Sequence, residues 1–84
     1  MSVRQQGSTL VLEGDCPVED AEMLADLLRD PSIDGIDWTG AQRVHTAVVQ
    51  LAILAQLPVA GPCGDGFVAR WIEPQMVAAA GGKG

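Results

Sequence analysis

Thr9-Leu10-Val11-Leu12-Glu13-Gly14-Asp15-Cys16-Pro17-Val18-Glu19-Asp20 is the stretch that decides the fold. Thr9 to Leu12 is β-branched and apolar and reads as a strand, closed by a turn at Glu13-Gly14-Asp15. Proline suits the first helical position, because its missing N–H would have no partner there. Glu19 and Asp20 then place negative charge in the first turn, where the helix dipole favours it. Asp15 or Cys16 takes the cap, Asp being the better chemical choice. A strand that hands over to a helix within a few residues is the repeating half of an α/β layer.

The pattern repeats outward from there. The helix spans about residues 17–29. Ala21, Leu24 and Leu28 recur at three- and four-residue steps, with Ala25 and Leu27 on the flank, and make one buried stripe. Glu19, Glu22, Asp26 and Asp30 fall mainly on the other side. They read as a solvated face, or as an electrostatic docking surface for a basic partner. Pro31 stops the helix. A second strand covers about Ile36 to Thr39, and Thr39-Gly40-Ala41 ends it. The segment from His45 to Gln56 is apolar on nearly every side, and its length favours a helix. Such a helix is expected to be buried on more than one side.

Leu57-Pro58-Val59-Ala60-Gly61 reads as a short strand, held by Pro58 to an edge or a strand start. Residues 62–66 form a loop. Asp65 caps a third helix carrying Phe67, Val68, Trp71 and Ile72, which Pro74 bends or ends. Residues 75–80 resume as helix. Residues 1–8 are flexible or a short edge strand, and residues 81–84 are a flexible tail. The chain thus reads as one α/β domain over residues 1–84. It has a single layer of mixed, mostly parallel sheet of three to four strands, packed with about three helices.

Composition excludes several functions. Nearly half of the 84 residues are apolar, so the chain is not of the disordered class. Eleven acids against five bases give a formal charge of −6. That argues against sequence-independent nucleic-acid binding and against anionic membrane surfaces. The apolar run from Ala47 to Leu57 is too short to span a bilayer, and Met1 to Gly7 lacks a signal-peptide core. A cytoplasmic protein is the expectation. Cys16, Cys63 and a single histidine cannot supply a zinc site of thiolates and imidazole. Two ordinary thiols in a reducing compartment are expected, with no cofactor and no metal.

Val44-His45-Thr46-Ala47 is the segment closest to chemistry, since it enters the most apolar helix. A hydroxyl at a helix start either caps it or carries a phosphate. Thr46 as a plain cap and His45 as an ordinary histidine are the simpler readings. A Cys16/His45 or Cys63/His45 nucleophile pair is conceivable, but the sequence shows no local activation of either thiol, so no catalytic residue is assigned.

Three pieces between about Thr9 and Trp71 resemble the STAS family, the fold of anti-sigma-factor antagonists and of the cytoplasmic tails of sulfate transporters. Leu10-Val11-Leu12-Glu13-Gly14-Asp15 with the helix after it resembles the family's strand, glycine turn and first helix. Ile36-Asp37-Trp38-Thr39-Gly40-Ala41 resembles the strand written Asp-Leu-Ser-Gly. Arg43-Val44-His45-Thr46-Ala47 resembles the Asp-Ser/Thr-Ser/Ala-Gly segment. There, a serine or threonine is phosphorylated by a cognate kinase and controls partner binding. His45 stands in place of the family's acidic residue, and its glycine falls near Val48. The phosphoacceptor position falls on Thr46 or, by another alignment, on Ala47.

The resemblance implies a non-enzymatic interaction module with Thr46 as the phosphoacceptor. Thr39, Gly40, Arg43, His45, Thr46 and Val49 would form the partner surface. The partner would be a kinase-like anti-sigma factor or another signalling protein. A STAS-like subunit of a lipid-transport ATPase complex is a variant of that reading. A small ligand-binding or enzymatic domain using His45 is the alternative. A reduced last strand would leave an open sheet edge, and with it the expectation of a homodimer.

Overall fold

A computed structural model describes residues 2–76. The element order is β1 (Val3–Gln6), β2 (Thr9–Cys16), α1 (Glu19–Leu27), β3 (Gly35–Val44), α2 (Thr46–Ala55) and β4 (Val59–Ala60). A third helix, α3, covers residues 66–76 and is π-wound over Val68–Ile72. The four strands form one sheet in the order β1-β2-β3-β4. β1 runs antiparallel to β2, whereas β2–β3 and β3–β4 are parallel. The α/β architecture expected from the sequence is therefore present, with its mixed, mostly parallel sheet.

The sheet has one covered face. Val3, Leu10, Leu12, Cys16, Ile36, Trp38 and Ala41 point to it and meet Leu24 of α1 and Val48, Val49 and Ala52 of α2. Arg4, Glu13 and Thr39 are exposed, and Asp37 is half-buried, on the opposite face. Trp38 is fully buried at the centre of the core, and its Nε1–H finds no acceptor among the described residues.

Of the two readings of residues 1–8, the edge strand holds: β1 pairs with β2 through the two-residue loop Gly7-Ser8, and Val3 is buried. Gly-Ser between two runs is a hairpin signal, with glycine supplying the positive φ at the first loop position. Other expectations change. β2 does not stop at Gly14. That residue has φ +65°, and the register with β3 shifts between Gly14 and Asp15. The extra residue at that shift is Gln42 of β3, so Gly14 is a left-handed kink inside β2 facing a bulge in β3 rather than a turn after the strand. Asp15 and Cys16 consequently belong to β2, so neither caps α1. Val18 occupies the cap with no side-chain bond.

β3 also outruns its expected end at Thr39 and reaches Val44. Two register shifts against β2 bring Trp38, Ala41 and Val44 to the covered face at three-residue spacing. The bulges erase the period-two alternation on which a strand is recognised.

α2 is not buried all round. Its lower side is core, but Leu54 is 75% exposed and Ile53 43% exposed. A single-layer sheet covers only one side of a helix. In α3 the chain continues through Pro74 to Met76. The wider π turn lies just before Pro74 and closes with the Glu73 N–H on the Val68 carbonyl. That winding accommodates a proline ring that would otherwise clash with the carbonyl four residues back. The remaining helix and tail expected over residues 77–84 lie outside the described residues.

Candidate functional site

The carboxyl ends of the parallel strands β2 and β3 meet the amino ends of α1 and α2. In open parallel sheets this is the edge where a crevice forms. Asp15, Cys16, Pro17, Arg43, Val44, His45 and Asp65 line a cleft of about 490 Å³ there. The His45 N–H donates to the Cys16 carbonyl at 2.9 Å and ties the two strand ends together.

His45 caps α2. Its backbone is extended, at φ −63° and ψ 147°, and its Nδ1 accepts the Ala47 N–H at 3.0 Å. It thus performs, in the place of the acidic residue of the resembled pattern, the task a carboxylate does at a helix start. Thr46 is therefore not the cap. It is the first helical residue, and its side chain is exposed.

Asp65 closes the cleft from the loop after β4. One carboxylate oxygen accepts the Phe67 N–H at 3.0 Å, which is the cap expected from the sequence. The other accepts the Val44 N–H at 2.9 Å. One side chain thereby fixes both the last residue of β3 and the first turn of α3. The Val44 contact joins residues 21 apart, a link that no local pattern signals.

The candidate partner residues fall into three places. Arg43, His45 and Thr46 are exposed together at the cleft end. Thr39 and Gly40 are exposed in mid-strand on the open sheet face, where Asp37 Oδ1 accepts the Thr39 N–H at 2.9 Å and the Thr39 hydroxyl at 2.7 Å. Those two donors hold the Asp37 carboxyl below its ordinary range. Val49 is 6% exposed and belongs to the core, so it leaves the surface set.

Both cysteines are free and buried. Burial pushes the Cys16 thiol up to about 11, helped by the carboxylate of Asp20. Burial also raises Cys63. Cys16 and His45 share the cleft, but a thiol this hard to ionise is a poor nucleophile. No group of three or more His, Cys, Asp or Glu arranged to hold a metal occurs among the described residues. No helix among them is long and apolar enough to cross a membrane. The chain matches no family model, and no curated protein or solved structure matches it.

Proposed function

We propose that this chain is a non-enzymatic regulatory interaction module of the anti-sigma-factor-antagonist type. It docks a signalling protein, such as a kinase-like anti-sigma factor, through the end of the sheet that carries Arg43, His45 and Thr46. Phosphorylation of Thr46 switches that docking. Thr39 and Gly40 extend the surface onto the open sheet face.

One observation carries the reading: the Thr46 side chain stands exposed at the start of α2 while the neighbouring His45 does the capping. A hydroxyl not needed for the helix is available for modification. A phosphate there would add roughly −1.5 to −2 charges beside the helix start and the exposed Arg43. The protonated thiols and the formal charge of −6 agree with a docking role and with no nucleic-acid partner. A homodimer by edge pairing would have to use β1, because β4 offers only two residues.

The test is affinity capture of the tagged chain, as wild type, Thr46→Ala and Thr46→Glu, from the cells that make it. Stoichiometric capture of one signalling protein by the first two and its loss from the third is the expected result. Equal capture by all three would remove the switch. A transport ATPase captured regardless of position 46 would move the reading to a STAS-like subunit of a lipid-transport complex. The ligand-binding or enzymatic alternative has the shared cleft of Cys16 and His45 in its favour. It requires a turnover that His45→Ala abolishes.

A further inference from the structure

The bond from the Ala47 N–H to His45 Nδ1 sets a condition on the imidazole. An N–H needs a lone pair to donate to, so Nδ1 is unprotonated and the neutral ring carries its proton on Nε2. The imidazolium holds protons on both nitrogens and cannot accept. It also sets a positive charge at the positive end of the helix dipole. Serine, threonine, asparagine and aspartate, the usual caps, keep their acceptor throughout the neutral range. Histidine is the side chain whose charge ordinarily changes between about pH 5 and 8. His45 is exposed, so solvent protons reach it.

We propose that His45 makes the start of α2 proton-sensitive: the cap is closed on the neutral ring and released when the ring is protonated, freeing the backbone beside Thr46. The inference concerns the Ala47 hydrogen bond and stands whether or not Thr46 is phosphorylated.

The groups that share the cleft with the ring come from three elements: Asp15 and the Cys16 thiol from β2, Arg43 from β3, and Asp65 from the loop before α3. Both Asp65 oxygens are occupied by backbone N–H groups. Protonation removes the cap bond outright. Its contribution is present at higher pH and disappears as pH falls through ring ionisation.

Nuclear magnetic resonance of the full ¹⁵N-labelled chain between about pH 5 and 8 tests this. At the upper end the imidazole nitrogens are expected to report the Nε2–H form, with the Ala47 amide protected from solvent exchange. On acidification the Ala47 amide should shift in step with ring protonation. Its protection, corrected for intrinsic exchange, should fall about fivefold, the loss of one cap. His45→Asn keeps an acceptor that does not titrate, so its Ala47 amide should stay unmoved. A proton on Nδ1 at the upper end, or the same acid response in both proteins, would overturn the proposal. The nitrogen spectrum of the unaltered chain decides even if the variant does not fold.

Discussion

The part of the molecule built on β1, β2, β3 and α1 is held by an extensive set of buried apolar side chains, whereas the stretch after α2 adds two carboxylate latches to a sparser apolar contact and the short β4 pairing. The first part supplies Val3, Leu10, Leu12, Cys16, Leu24, Ile33, Ile36, Trp38 and Ala41 to the core. After α2, among the described residues, only Cys63 and Val68 are buried, and Phe67 and Trp71 stand 66% and 55% exposed. What α3 lacks in apolar burial is supplied by Asp65 and by Glu73, whose Oε1 accepts the Cys63 N–H at 2.5 Å. Gly64 lets this segment lie close to the sheet, since a Cβ there would overlap the Ala41 carbonyl. Area removed from water resists perturbation in proportion to its extent, while a carboxylate latch depends on two or three bonds.

The largest expected effect tests the first half of that contrast. Leu12→Ala removes a fully buried side chain and should cost about 2–5 kcal/mol in urea denaturation. Phe67→Ala, on the exposed side of α3, should cost well under 1 kcal/mol by the same measurement. Similar losses in both would erase the distinction.

The latches come next. Asp65→Ala strands the Val44 and Phe67 N–H groups, at a cost of about 2 kcal/mol. Its signature should be regional: hydrogen exchange should accelerate in α3 and at the end of β3 while β1 and the body of β2 stay protected. Uniform acceleration would mean that the two parts open as one unit.

The smallest effect separates the two thiols. The Cys16 thiol ionises near 11 in the folded chain against an ordinary value of 9.0, so the folded state holds its proton more tightly. The associated stability is complete below about pH 9 and is lost as pH rises through 11. By about pH 10 the loss is roughly 1.4 kcal/mol at most. Cys16→Val should flatten that alkaline slope more than Cys63→Val does. The reverse order would place the better-sealed thiol in the carboxy-terminal segment.

Particular residues show how far the sequence was legible. The Leu24 stripe, the α2 segment, the short parallel β4 and the Asp65 cap all announce themselves through local chemistry: apolar period, length, proline and an acceptor before a helix. For residues 1–8 the polar Arg4, Gln5 and Gln6 leave a flexible segment and an edge strand equally open, and Gly7-Ser8 is the local sign that favours the strand. The continuation of β3 past Thr39 was not readable, because bulges replace period two with a three-residue step. Within the site, Arg43, His45 and Thr46 were picked out by their position before an apolar helix. Which of His45 and Thr46 caps that helix depends on backbone angles, and Val49 only joins the core once the helix is docked.

The sequence by itself determined the alternation of strand and helix, the apolar stripes and the acidic surface, because each depends on residues within a few positions of one another. The tertiary structure alone decided that Asp65 holds the end of β3, that Cys16 and His45 line one cleft, and that Leu54 faces outward. Those are relations between residues far apart in the chain. They follow from sheet register and from which side of each helix the single-layer sheet covers, and no local propensity specifies either.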